Sequence, residues 1–280
     1  MTFRTRFAPS PTGPLHLGHA FSARTAFDMA RAQGGVFHLR IDDIDQSRAR
    51  PEWEAQIIDD LHWLGLHWPD PVWRQSERSQ QYRDALQTLW DRGLLYPCTC
   101  TRRDIQAAAN APQEGAPIHG PDGIVYPGTC RGARRTGDMP QDTALRLDIK
   151  MVVQGMENKH FHETLHHPGQ HRIEAADMID TVGDVVLSRR DMAASYHLAI
   201  VVDDAEQKIT DVVRGADLFE ATRIHVVLQH LLGLPTPMYH HHRLIRDEAG
   251  KRLAKRDDAR AIATYRAEGR TPQDIRRMCE

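Results

Sequence analysis

Residues 4–45 read RTRFAPSPTGPLHLGHAFSARTAFDMARAQGGVFHLRIDDID, and this stretch decides the fold. Arg4 to Ala8 has the composition of a short strand, and Pro9, Pro11, Gly13 and Pro14 break the loop that follows. A helix is expected from near Gly18, with Leu17, Ala20, Phe21, Phe27 and Ala30 as its apolar stripe. Gly34 and Gly35 stop it. Val36 to Ile41 is a second strand, ending in the acids Asp42, Asp43 and Asp45. Strand, loop, helix, strand is a βαβ unit, and ligands gather at the carboxyl ends of its strands.

His16 and His19 flank Leu17 and Gly18 at the mouth of the expected helix. A helix N-terminus attracts phosphate through its unpaired N–H groups and its dipole. Two imidazoles there add donors, and Gly18 permits close approach of a nucleotide. A four-residue pattern alone recurs by chance as a polar cap, but this one follows an expected strand and opens an expected helix.

Outward from this unit, helices are expected from Pro51 to about Leu64 and from Ser79 to Arg92, with a strand at Leu94 to Tyr96. Trp53, Trp63, Trp68 and Trp73 read as packing residues rather than base-stacking platforms. From residue 98 to about 140 periodicity fades after a brief helix near Asp104 to Ala109, and Gly, Pro and Arg are frequent, as in an insertion. Cys98, Cys100 and Cys130 supply three thiols there. Zinc takes four ligands from Cys, His, Asp or Glu, so His119 is the fourth ligand that chemistry alone prefers, with the Tyr126 phenolate as the rarer choice. Residues 144–149 alternate like a strand; the histidines at 160, 162, 166, 167 and 171, and those at 240–242, read as solvated loop. Leu198 to Val202 is an unbroken apolar run ending in Asp203 and Asp204, which reads as a buried parallel strand. Lys208 to Leu218 is a further strand-to-loop unit, followed by a helix from about Glu220 to Leu232.

With 36 Lys plus Arg against 38 Asp plus Glu, the net charge is −2, so any nucleic-acid contact must come from local patches. Such patches are Arg131, Arg134 and Arg135 in the insertion, and Arg252 and Arg256 in the basic tail after Arg243. No apolar run approaches a membrane span and no signal core is present at the N-terminus, so a cytoplasmic protein without membrane contact is expected.

RFAPSPTGPLHLGH followed by LRIDDID resembles the glutamyl branch of the class I aminoacyl-tRNA synthetases. HLGH matches the HIGH signature of that class, and RLAKR at 252–256 aligns with KMSKS, with Lys255 as its second lysine and Ala254 in place of the usual serine. The resemblance extends to about residue 256. It implies an α/β fold: a Rossmann-type parallel sheet with a zinc-containing insertion and a short C-terminal helical, stem-contacting region. The corresponding boundaries are 1–97 and 183–235 for the two halves of the catalytic domain, 98–182 for the insertion, and 236–280 for the KMSKS-like loop and C-terminal region, with no anticodon-binding domain expected.

The resemblance also implies roles. His16, Gly18, His19 and Lys255 bind ATP, and His16, His19 and Lys255 are catalytic. Arg6, Ser10, Asp42, Tyr196 and Arg214 hold glutamate. Asp42 stands where the glutamyl pattern has Glu; glutaminyl relatives carry Asp there, but they have PPEPNG where this chain has APSPTG. The CxC and Y-x3-C arrangement resembles the short glutamyl-queuosine tRNA(Asp) synthetases and implies one zinc held by Cys98, Cys100, Tyr126 and Cys130. That family activates L-glutamate with ATP without tRNA, Mg²⁺ accompanying the ATP, and esterifies the queuosine of tRNA(Asp). Competing readings are a truncated glutamyl-tRNA synthetase charging an acceptor end, a catalytically silent zinc RNA-binding module, and, more weakly, a cofactor adenylyltransferase.

Overall fold

The structure, a computed structural model, describes residues 2–109, 119–133, 135–156, 159–246 and 260–280. The opening unit forms as its sequence dictates. β1 (Arg4–Phe7) and β2 (Val36–Ile41) pair in parallel, with α1 (Leu17–Ala32) between them in the chain. The buried face of α1 is alanine: Ala20, Ala23, Ala26 and Ala30, so the helix lies close on the sheet, while Phe21 and Phe27 sit at its margins. Gly34 ends the helix with φ 59°, a conformation only glycine adopts freely. α2 (Pro51–Trp63) follows, buries Ile57 and Leu61, and leads to β3 (Trp73–Arg74), which pairs in parallel with β2. Trp53, Trp63, Trp68 and Trp73 are half-buried.

Next come α3 (Ser79–Asp91), β4 (Leu95–Cys98), α4 (Arg102–Ala109), a hairpin of β5 (His119–Gly120) and β6 (Gly123–Ile124), β7 (Ala144–Leu147) and α5 (Ile149–Val152). β8 (His160–Glu163), β9 (Gly169–Arg172), α6 (Ala175–Asp177), β10 (Val186–Ser188), α7 (Tyr196–Glu206), β11 (Asp211–Gly215), α8 (Thr222–Leu231), β12 (Met238–His242), α9 (Ile262–Ala267) and α10 (Pro272–Met278) complete the described strands and α-helices. Strand order is β3-β2-β1 in one group and β11-β12-β8-β9 in another. The Thr210 N–H donates to Arg4 O at 3.0 Å, and the Arg4 N–H donates to Thr210 Oγ1 at 2.8 Å, so β1 and β11 adjoin. The chain runs outward from β1 on one side and from β11 on the other. The cleft outside the carboxyl ends of β1 and β11 is therefore the switch point where such sheets bind ligands. A separate antiparallel sheet, β10-β7-β4, carries Cys98 at the end of β4.

Three expectations are corrected. The run Leu198 to Val202 is helix, not strand: α7 is buried on every side from His197 to Asp204. A helix buried all round loses its polar stripe, and its sequence then resembles a buried strand. His240, His241 and His242 are not solvated; they lie buried in β12, between β11 and β8. The ring of His240 bonds Thr164 Oγ1 at 2.5 Å and Asp211 Oδ1 at 2.8 Å, which satisfies a polar group that burial would otherwise penalise. The histidines from 160 to 171 are corrected only in part: His160 and His162 lie on β8 and His171 on β9, whereas His166 and His167 are in the exposed loop between the strands, as expected. His160 and His162 are also exposed, while Phe161 and Glu163 point inward. β8 thus joins the parallel sheet although its residues fall inside the span expected for the insertion.

Candidate active site

The mouth of α1 is built by its own histidines. His16 is the N-cap, and its Nδ1 accepts from the Gly18 N–H at 3.1 Å. His19 Nδ1 accepts from the His16 N–H at 3.2 Å, and the two rings stack with centroids 3.7 Å apart. Because both Nδ1 atoms accept, each neutral ring carries its proton on Nε2, so Nε2 is the donor it can offer. A Cβ on Gly18 would stand 3.0 Å from His16 Cε1, so this glycine first of all makes room for the His16 cap. Lys255, with Ala254, Arg252 and Arg256, lies outside the described residues, as does Arg134. On the far flank of that segment, Ala261 bridges His16 and the Ile262 N–H donates to Leu15 O at 2.8 Å.

Arg6, on β1, is buried and donates through Nε to Asp204 Oδ1 at 2.9 Å. The same oxygen receives Arg40 NH1 at 2.7 Å, and Arg40 Nε donates to Asp42 Oδ1 at 2.8 Å. Arg40 is 0% exposed. Burial pushes the Asp42 carboxyl up against the pull of Arg40, to about 6. Asp204 is also pushed up by burial, but Arg6 and Arg40 outweigh this and hold it below the usual carboxylate range. Arg214, on β11, is fixed on several sides. It donates to Thr222 Oγ1 at 2.8 Å, His225 Nδ1 at 3.0 Å and His241 Nε2 at 3.2 Å. The half-buried Tyr196 opens α7 within electrostatic reach of Arg214, Arg6, Asp42 and Asp204, and burial raises its phenol. Ser10 is exposed in the loop after β1. Arg6, Asp42, Tyr196 and Arg214 thus converge.

Far along the chain, Cys98, Cys100 and Cys130 bring their sulfurs within 4.8 Å of one another. The Tyr126 hydroxyl lies 3.5 Å from Cys98 Sγ and 3.4 Å from Cys100 Sγ, and Cys100 and Cys130 sulfurs are 3.5 Å apart. Bond lengths of about 2.0–2.3 Å to a tetrahedral zinc require ligand separations of about 3.3–3.8 Å, so this donor set fits. The exposed His119 is not part of the cluster, so among the described residues Tyr126 is the group nearest to completing it. Burial pushes the Cys130 thiol up, but hydrogen bonds from Tyr126, the Thr99 backbone and Cys100 outweigh it and hold the thiol at about 7. Arg146 Nε donates to Cys98 Sγ at 3.2 Å, and its guanidinium lies 3.8 Å over the Tyr126 ring, while burial and the cysteine hydrogen bonds push the Tyr126 phenol well up. Arg131 and Arg135 do not face outward for phosphate; they pair with Asp184 at 2.7 Å and Asp148 at 2.6 Å.

Sequence reasoning missed Arg40, Asp204, His225 and Arg146. An arginine inside the apolar strand VFHLRI is a signal that was present: a charge there needs buried partners.

Among the described residues, no helix is long and apolar enough to cross a membrane. The family model for the catalytic domain of class I tRNA synthetases (E and Q) matches residues 2–280. The chain belongs to that family. It is 64% identical over 277 residues to a glutamyl-Q tRNA(Asp) synthetase of Rhodobacter capsulatus, covering 98% of both chains. It is 40% identical to one of Geobacter sulfurreducens, covering 93% of this chain and 78% of that one. Its sequence therefore falls within the glutamyl-Q tRNA(Asp) synthetase branch of the family. Among solved structures it is similar to a glutamate tRNA ligase of Elizabethkingia meningosepticum in complex with its amino acid, with TM-score 0.76 and 27% identity. All of this chain is covered, and it spans 60% of that ligase. The methionyl-tRNA synthetase of Mycobacterium tuberculosis, at 11% identity and TM-score 0.61, shares the fold.

Proposed function

We propose that this chain activates L-glutamate with ATP, without RNA, and transfers the glutamyl group to the queuosine of the tRNA(Asp) anticodon. One observation carries the reading: the 64% identity, over 98% of both chains, to a protein of that name. The chemistry of the cleft agrees with it. A dicarboxylic amino acid needs two carboxylates gripped and one ammonium group paired. Arg6 and Arg214 supply guanidinium groups, Asp42 a carboxylate, and Ser10 and Tyr196 hydroxyls.

In the first step a glutamate carboxylate oxygen attacks the α-phosphorus of ATP, an O–P bond forms, and pyrophosphate leaves. Little covalent work falls to the protein; it aligns two anions and stabilises the developing charge. His16 and His19 offer Nε2 donors at the N-terminus of α1, and Lys255 brings an ammonium group to the phosphates. Mg²⁺ bound with ATP supplies further charge neutralisation. Zinc, held by Cys98, Cys100, Tyr126 and Cys130, supplies folding free energy to a segment whose own apolar cluster is small. In the second step a hydroxyl of a ribose-like diol on an anticodon base, which single-stranded RNA can splay into a cleft, attacks the glutamyl carbonyl; an ester bond forms, the anhydride bond breaks, and AMP leaves with the hydroxyl proton released. Glutamate-dependent exchange of labelled pyrophosphate into ATP, with no RNA present, tests the first step. Exchange that requires RNA, or that another amino acid supports better, overturns it.

A further inference from the structure

The hairpin β5–β6 sits far from the glutamate cleft in sequence, yet a file of side chains, exposed at Asp122 and buried at His197 and His225, connects the two. Asp122 lies in the turn between these strands. His197 Nε2 is 3.3 Å from Asp122 Oδ1, His197 Nδ1 is 3.1 Å from His225 Nε2, and His225 Nδ1 is 3.0 Å from Arg214 NH1. The direction of every bond follows from one fact: a guanidinium group only donates. Arg214 donates to His225 Nδ1, so neutral His225 carries its proton on Nε2 and donates to His197 Nδ1. Neutral His197 then carries its proton on Nε2 and donates to Asp122. No alternative placement of the protons satisfies all three contacts.

The outer end of the file is held firmly. Gly120 approaches Thr181 so closely that a Cβ would stand 2.0 Å from Thr181 O, and a Cβ on Gly183 would stand 2.7 Å from Val125 Cγ1. The hairpin is thus seated against the body on both sides of Asp122. The inner end is buried: His197 and His225 are 6% and 1% exposed.

We infer that Asp122, His197 and His225 are positioning residues that hold Arg214 in the geometry that grips substrate carboxylate. This rests on the reading of Arg214 as a glutamate ligand. The file is ordered from both ends: Arg214 requires a bare Nδ1 lone pair on His225, and Asp122 accepts the proton that this order places on His197 Nε2. Without the terminal acceptor only Arg214 opposes the reversed tautomers, in which both rings would turn their N–H groups toward it, a donor facing a donor, so its hold on a fixed geometry weakens.

Two measurements on the full chain decide it. Two-bond ¹H–¹⁵N spectra at pH 7.5 should show His197 and His225 as Nε2–H tautomers; an Nδ1–H form for either overturns the file. In pyrophosphate exchange, Asp122→Ala should raise KM for glutamate about three- to tenfold, the effect of one lost hydrogen bond, while kcat and KM for ATP stay within about twofold. Asp122→Asn, whose carbonyl accepts the same bond, should restore wild-type KM. In a His225→Asn background the Asn carbonyl still accepts from Arg214 but the file is cut, so Asp122→Ala should add nothing. An undiminished effect there, or no rescue by Asn, overturns the inference. Wild-type protein lacking glutamate-dependent exchange would refute the reading of the cleft instead, and the tautomers would still decide the file.

Discussion

Replacing Asp42 by Asn should make the protein more stable and less able to bind glutamate. Asp42 is buried, and its carboxyl is raised from an ordinary value of 3.8 to about 6 although Arg40 Nε donates to it at 2.8 Å. At about 1.4 kcal/mol per tenfold change in the ionisation constant, the ionised form costs about 3 kcal/mol on folding. The folded state binds the proton more tightly than the unfolded state, so stability is full below about pH 4 and falls as pH rises toward 6. The whole penalty is present above 6. Asn resembles the protonated acid in size and polarity. Asp42→Asn should therefore match wild type near pH 4 and exceed it by about 1–3 kcal/mol at pH 8, the lower bound allowing for a weaker bond to Arg40. Denaturant unfolding at both pH values, with the slope checked for constancy, measures this. Glutamate titration of the same variant should show affinity reduced at least about tenfold, because the α-ammonium loses its charged partner. A variant less stable than wild type at pH 8, or one whose difference from wild type does not change with pH, refutes the reasoning.

Three further outcomes are expected. Purified protein should carry one zinc per chain, and Cys130→Ser should lose it; absence of zinc by metal analysis, or its retention in the variant, removes the proposed site. Arg146→Met should keep the fold but weaken metal affinity about 10- to 100-fold, as loss of a group bonded to a metal ligand does; unchanged affinity in a chelator competition contradicts the role given to its bond with Cys98. Lys255→Ala should slow pyrophosphate exchange about 10²- to 10³-fold, the effect of losing one preorganised charge partner, and wild-type exchange in that variant refutes its assignment.

The opening unit was legible because its signals are local: short strands bounded by breakers, a glycine stop, and a polar motif placed where a helix begins. The cluster of Cys98, Cys100, Tyr126 and Cys130 was legible only in part. Spacing pointed to metal, yet residue chemistry alone preferred His119, and the contacts that bring Tyr126 to the cysteine sulfurs are tertiary. α7 was misread because complete burial removed its periodicity. His240 to His242 were misread because a histidine gives no sign, in one sequence, that Asp211, Thr164 or Arg214 waits for it across a sheet. Arg6 and Asp42 were placed from a resemblance. What holds them, the shared Asp204 oxygen between Arg6 and Arg40, joins residues 198 and 164 positions apart in the chain, and no spacing rule reaches that far.

The central claim is the acceptor. Labelled glutamate should be transferred by this protein to tRNA(Asp) that contains queuosine, and to an isolated anticodon stem-loop carrying it. Periodate cleavage of the queuosine diol, or omission of queuosine, should abolish the label. Label on the 3′ end of tRNA(Glu), or equal labelling of tRNA(Asp) with and without queuosine, would contradict the account.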